Sequence, residues 1–371
     1  MEVLAAFPHY PRGEIPNEYK RKAFRIESRN GIKLIRVWMP GLPHDSIANR
    51  MILQLCFALA SLFALPIAGG ADVIWAANPN LFAFFPALIY SFVKKKPIVR
   101  NVDDLWPEVF YDLGIVKSRI LRRLLDGIAR LSYIVPAAIT PISSAHKSRI
   151  VEKYKVGKNK IHVVEVGVEV ARSEPRSTTK DDYFVVMYSG ILGTGYDFKT
   201  VLEAARFLSG HKEVVFFIRG MGEREHEIKE MIYGLKLSNV TMNTEYLPRS
   251  RMIEVLNSAD AFLLPMNPAR AIEDGLPTKI FEYQSCGKPI ICCSKGEPAK
   301  YVESTKSGLI VRPKDPKALA GAILTLYQDD NLAQELGLNG WKYVTENLTS
   351  EKIGERMYDI FLSICNGATR A

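Results

Sequence analysis

The second half of the chain alternates short, continuous apolar runs with stretches of helical periodicity, and few folds accept that pattern. Residues 183–188 form one such run and end in Ser189-Gly190-Ile191-Leu192-Gly193-Thr194-Gly195, after which helical spacing covers 198–208. Residues 214–218 are a second run, closed by Arg219-Gly220-Met221-Gly222-Glu223, and 261–264 and 290–293 are further ones. Strands that are apolar throughout and separated by helices predict a parallel sheet covered on both faces. Ligands of such sheets bind at the carboxyl ends of the strands, where these glycine-rich loops fall. The expected class is therefore α/β.

Further on stands Glu273-Asp274-Gly275-Leu276-Pro277-Thr278-Lys279-Ile280-Phe281-Glu282-Tyr283-Gln284, then Cys286-Gly287-Lys288-Pro289. It reads as an acidic turn and a proline-started helix with Glu282 in its first turns, ended by Gly287-Lys288-Pro289. A helix start offers unpaired N–H groups and partial positive charge, which suits a phosphate. A carboxylate about one turn in can accept two hydrogen bonds from a vicinal diol such as ribose. Phosphate plus ribose points to a nucleotide. The plainer reading, an amphipathic helix with a capping acid, stays open on these residues alone.

Length and charge narrow the partners. At 371 residues, two domains are the default. Residues 1–170 hold 24 basic and 14 acidic side chains, a formal charge of +10, against 25 and 26 in residues 171–371, a charge of −1. The first half should therefore face something anionic. The five cysteines show neither CxxC nor metal spacing, which fits a reducing cytosol rather than a disulfide scaffold. The N-terminus lacks the basic segment, apolar core and cleavage site of a signal peptide.

The two glycine-rich loops and Tyr246-Leu247-Pro248 in this order, followed by Asp274 and Glu282 with seven residues between them, resemble the donor site of glycosyltransferase family 4, a retaining family. The aspartate stands where that family usually has glutamate, with Glu273 one residue off register. In the first half the resemblance rests on Phe7-Pro8-His9-Tyr10-Pro11-Arg12-Gly13, Asp72-Val73-Ile74-Trp75 and Asp104-Leu105-Trp106-Pro107-Glu108, similar to the branch that builds O-antigen and capsule sugars. It implies a GT-B fold: two Rossmann-like domains with parallel sheets facing across a cleft. The first is expected at 1–170 with a returning helix at about 350–371, and the second at 171–349, joined by a polar linker at 172–182.

The resemblance also implies roles. Gly190 and Gly193 face the donor pyrophosphate, Arg219 and Gly220 form the next donor loop, and Tyr246 and Leu247 lie beside the base. Thr278 and Lys279 hold phosphate and Glu282 holds ribose, while Asp274 or Glu273 contacts sugar hydroxyls. The arginine and lysine that many members place around the first loop are replaced by Ile191 and Leu192, which leaves Arg219 and Lys279 as phosphate counter-charges. For Arg219 a strand-end charge is the equal alternative. Asp104 is the candidate polar group beside the transferred sugar, or else a helix N-cap before Pro107. His9 and Tyr10 fall on the acceptor side, though a lone histidine is more often a loop residue. No DxD-like pair occupies a suitable loop, so no metal and no cofactor are expected. The family's opening strand, glycine-rich loop and helix have no counterpart ahead of the strand expected at residues 3–7.

Two segments suggest a membrane surface. Residues 51–68 form an apolar run of bilayer-spanning length, closed by Pro66 and Gly69-Gly70, and are expected as a buried or interfacial helix. Lys117 to Leu125, continued by Arg130-Leu131, sets apolar residues and cations at helical spacing, and Lys94-Lys95-Lys96 adds a cationic loop. A solvated helix with its apolar face in the core is the alternative. Neither a zinc-finger nor an RNP-type signature points to nucleic acid. The expectation is a cytoplasmic, membrane-peripheral enzyme that moves a sugar from a nucleotide-sugar donor, UDP by preference, to a lipid-linked or glycan acceptor. A nucleotide-sugar 2-epimerase of the same fold and a non-catalytic scaffold are the rivals.

Overall fold

The computed structural model describes residues 1–9, 13–43, 46–77, 82, 84–112, 114–170 and 183–368. Tyr10 and the expected linker at 172–182 lie outside them. The chain forms two compact units: residues 1–141, 147–163 and 358–371 in the first, and 142–146 and 164–357 in the second.

Unit 1 opens with β1 (Glu2–Ala6), β2 (Phe24–Arg29) and β3 (Ile32–Val37). β1 runs parallel to β3, while β2 and β3 form an antiparallel hairpin about Asn30-Gly31. Both turn residues have positive φ, 52° and 77°, the pair of conformations an Asn-Gly hairpin turn supplies. Helices α1 (Ile47–Ala64) and α2 (Phe84–Lys94) flank β4 (Ile74–Ala76). Then follow β5 (Ile98–Val102), α3 (Glu108–Asp112), α4 (Arg119–Ile134), β6 (Ala138–Pro141) and α5 (Ser144–Tyr154). Strands β4, β5 and β6 form a separate parallel sheet of three. Its core joins Val102, Leu105 and Ile139 to Ala129 and Tyr133 of α4. The first half thus divides its strands between two small sheets, one of them partly antiparallel.

Unit 2 is a single parallel sheet of six in the order β12-β11-β10-β7-β8-β9. The chain enters at β7 (Phe184–Ser189), passes α6 (Phe198–Phe207), β8 (Val214–Arg219), α7 (Glu225–Gly234) and β9 (Val240–Asn243), and then returns through α8 (Arg249–Asn257) to β10 (Ala261–Pro265). Beyond lie α9 (Arg270–Glu273), α10 (Lys279–Ser285), β11 (Ile290–Cys293), α11 (Glu297–Ser304), β12 (Gly308–Val311), α12 (Pro316–Gln328), α13 (Asp330–Asn347) and α14 (Ser350–Ala368). β7 and β10 are neighbours across a reversal of strand order, the place where open α/β sheets bind ligands. Helices cover both faces, and two extensive apolar clusters fill the layers.

Candidate functional site

The carboxyl ends of β7 and β8 are locked together. Gly190 and Gly220 adopt φ of +150° and +144°, and a side chain on Gly220 would place its Cβ 1.7 Å from the Gly190 carbonyl oxygen. The Gly190 amide donates to the Arg219 carbonyl (2.9 Å), and the Leu192 amide to that of Met221 (2.9 Å). These glycines are needed for close backbone approach as well as for their dihedrals.

Helix α10 brings Lys279 to this junction. Lys279 and Tyr283, one turn apart, face the end of β7, and both are buried. The Tyr283 hydroxyl accepts from the Ser189 amide and donates to the Ser189 carbonyl, each at 3.0 Å. Its ring stacks on Phe262 with centroids 4.0 Å apart. The Lys279 ammonium donates to the Tyr188 hydroxyl (3.0 Å) and lies 3.8 Å from the Tyr196 ring centroid. A Cβ on Gly190 would fall 2.6 Å from Lys279 Nζ, so the ammonium sits directly against the first loop. Among the described residues no carboxylate pairs with it. Burial, opposed by Glu282 one turn on, lowers its pKa from 10.5 to about 7. A buried cation without a counter-ion is costly, and an anion delivered to the loop would relieve it.

Glu282 is the exposed residue between the buried Phe281 and Tyr283, and Thr278, at the helix N-cap, is exposed as well. The helix begins at Lys279, two residues after Pro277. Tyr246 is exposed and Leu247 half-buried, on the segment after β9. Gly193 is buried beside Leu192, and the Thr194 amide donates to the Glu223 carboxylate at 3.1 Å.

Two expected site residues turn out to be engaged in the fold. The Arg219 side chain is buried and points to the segment after β9, where it donates to the Glu245 carbonyl (2.8 Å) and the Asn243 amide oxygen (3.4 Å). It braces the stretch that carries Tyr246, which makes it neither an exposed strand-end charge nor a neighbour placed like Lys279. The Glu273 carboxylate accepts from the Ser294 hydroxyl and from the amides of Lys295 (3.0 Å) and Gly296. One of its oxygens therefore holds the start of α11, and the other is buried without a partner. Asp274 follows as the C-cap of α9, and its carbonyl accepts from the Ser143 hydroxyl at 2.8 Å.

The remaining candidates belong to unit 1. Asp104 follows β5 with an exposed side chain, four residues ahead of α3, and its carbonyl accepts from the Trp106 amide (3.2 Å). Crowding by surrounding protein, then the Asp103 charge, push its carboxyl up to about 6. Solvent contact limits that shift, so the carboxylate is the form present near pH 7. His9 places Nδ1 2.7 Å from the Phe7 carbonyl oxygen.

The aromatic cage of Tyr188 and Tyr196 around Lys279 escaped the sequence reading, as did the Tyr283 lock. The four-residue spacing of Lys279 and Tyr283 was the available signal, since it puts both on one face of α10.

Residues 170–343 match the family profile described as "Glycosyl transferases group 1". The chain carries a glycosyltransferase domain. A putative colanic acid biosynthesis glycosyltransferase, WcaL of Escherichia coli K12, is 28% identical over 226 residues, 60% of this chain and 55% of that protein. The chain therefore spans about half the length of that relative. Among solved structures, a sucrose-phosphate synthase from Thermosynechococcus elongatus superposes with TM-score 0.78 at 15% identity, covering 99% of this chain and 89% of the other. Anabaena Alr3699/HepE in complex with UDP and glucose gives 0.68 at 17% identity, over 90% and 87%. The two α/β units are the Rossmann-like pair of the GT-B fold.

Proposed function

We propose that this chain is a retaining glycosyltransferase of family 4. It would transfer a sugar from a nucleotide-diphosphate donor, UDP-linked, to a lipid-linked or polysaccharide acceptor at the cytoplasmic face of a membrane. The observation that carries this reading is the uncompensated Lys279 ammonium set against the Gly190 turn at the sheet's switch point. UDP and glucose bound in a protein of like fold support the donor, and the colanic acid relative supports a glycan product.

In this reading Lys279 and the 190–193 loop hold the diphosphate, Glu282 takes the ribose diol, and Tyr246 with Leu247 flank the base. Asp274 contacts sugar hydroxyls, while Glu273 fixes the 294–296 loop behind it. Asp104 is the polar group beside the transferred sugar, and His9 serves the acceptor side. The chemistry rests on positioning and on stabilising the departing diphosphate, which itself helps deprotonate the incoming hydroxyl. Lys279 supplies the cation that such a leaving group requires, and the reading invokes no metal. Calorimetric titration of UDP, GDP and ADP into the chain tests it. UDP should bind, and Glu282→Ala should weaken binding by about tenfold to a hundredfold, the value of a bidentate charged contact. Failure of all three nucleotides to bind, or full affinity in Glu282→Ala, defeats the assignment.

A further inference from the structure

Helix α1 has two apolar faces, and the fold uses one. Leu53, Phe57, Ala60 and Ala64 turn inward, where Ile35 and Val37 of β3 complete a small core. Ile52, Leu55, Leu59 and Phe63, at intervals of three, four and four residues, form a stripe on the other side and remain exposed, Phe63 at 84%. Helix α2 packs against α1 and repeats the arrangement. Phe84 and Leu88 face the core around Ala76 and Ile98, while Ile89, Phe92 (84% exposed) and Val93 (67%) face solvent. Seven large apolar side chains thus stay exposed on two helices that touch each other, a concentration of the kind that marks a docking surface.

Charge selects the occupant. Lys94 and Lys95, directly after Phe92 and Val93, are exposed, and the Lys96 ammonium lies 3.8 Å from the carboxylate of the exposed Asp72. The first half carries a formal charge of +10, which opposes apposition of two copies and favours an anionic surface. Apolar side chains rimmed by lysine suit the boundary between headgroups and acyl chains. The segment Ala48–Ile67 is long and apolar enough to cross a membrane by length and composition. Its inner face, however, is committed to β3, so it lies in the plane of the interface.

We infer that the outer face of the α1–α2 pair docks the protein on an anionic lipid bilayer, with Phe63, Phe92 and Val93 inserted and Lys94 and Lys95 on the headgroups. This deepens the membrane-facing part of the proposed function and rests on it only for the acceptor. Sedimentation of the full chain with vesicles of phosphatidylcholine alone, or with a third phosphatidylglycerol, tests it. The chain should partition onto the anionic vesicles, Phe63→Ser/Phe92→Ser should lose at least about tenfold in partition coefficient, and Lys94→Gln/Lys95→Gln should lose less and only on anionic vesicles. Both altered pairs are solvent-exposed, so the variants should fold and keep the nucleotide affinity of the parent. Absence of partition, or partition insensitive to the phenylalanine pair, overturns the inference. So does a dimer in light scattering that the phenylalanine pair abolishes. Loss of nucleotide binding in the parent chain would instead count against the donor-site assignment alone.

Discussion

The two units contain similar apolar sequence and dispose of it in opposite ways. Unit 2 closes two large apolar clusters between helices and a six-stranded sheet, and Phe262, Phe281 and Tyr283 are fully buried. Unit 1 divides its strands between two sheets of three and leaves Phe63 and Phe92 almost wholly in water. Burial of an aromatic side chain stabilises a fold by a few kcal/mol, so a chain that forgoes it repeatedly on one surface has another use for that surface. Composition cannot distinguish the two cases. What separates them is whether a second layer arrives to cover the helix.

The sharpest way to break the contrast is to truncate one phenylalanine on each side. Phe262→Ala removes a ring stacked on Tyr283 within a sealed layer and should lower stability by about 3–5 kcal/mol in urea unfolding. A loss below about 1 kcal/mol would mean that the layer is not packed as described. Gly220→Ala comes next. Its Cβ has no room beside the Gly190 carbonyl and its φ is +144°, so the variant should lose about 3 kcal/mol and, with the loop displaced, its nucleotide affinity. An unchanged melting temperature would refute the close approach of the two loops.

Much of this contrast was legible beforehand on one side only. Four strands of unit 2 are continuous apolar runs, the first two followed directly by Gly190 and Gly220, and β7, β8, β10 and β11 fall where those runs are. Candidate site residues were legible as types rather than as orientations. Lys279 stands out in its motif, yet Tyr188 lies 91 residues earlier and nothing local announces the contact. Arg219 ends a strand, and whether such a side chain turns toward the first loop or toward residues 243–245 is settled by tertiary packing. Glu273 and Asp274 differ by one position, and the turn of α9 sends the first into the 294–296 loop. In unit 1 the Asn30-Gly31 hairpin carried a readable signal, since Asn-Gly between two apolar-containing strands favours that turn. The exposed faces of α1 and α2 did not, because periodicity reports that a helix has an apolar face and is silent on what covers it.

Lys279 tests the comparison through charge. Its folded pKa, about 7, lies below the 10.5 of an unfolded lysine. Between those values the unfolded chain binds more protons, so stability should rise as pH goes from about 7 to 10.5, with the full desolvation cost standing below 7. Lys279→Met should remove that slope and gain about 1–2 kcal/mol at neutral pH while losing nucleotide affinity. A diphosphate favours the ammonium form, so binding to the parent above pH 7 should take up a proton and weaken as pH rises. Calorimetry in two buffers of different ionisation enthalpy reads that proton directly, and equal observed heats in the two buffers would exclude Lys279 as its carrier.

Unit 1 should tolerate what unit 2 does not. Gly127 lies within α4 with nothing within 4 Å of where a Cβ would stand, so Gly127→Ala should raise stability by about 0.5–1 kcal/mol through helix propensity alone. Phe63→Ser, the counterpart of the Phe262 truncation, should change stability by no more than about 0.5 kcal/mol, because an 84% exposed ring has little burial to lose. The two phenylalanines would then differ by several kcal/mol in water while only Phe63 affects binding to vesicles. A Phe63→Ser variant destabilised by about 2 kcal/mol or more would show that the outer face of α1 is covered in solution. The difference between the units would then be one of partner rather than of exposure.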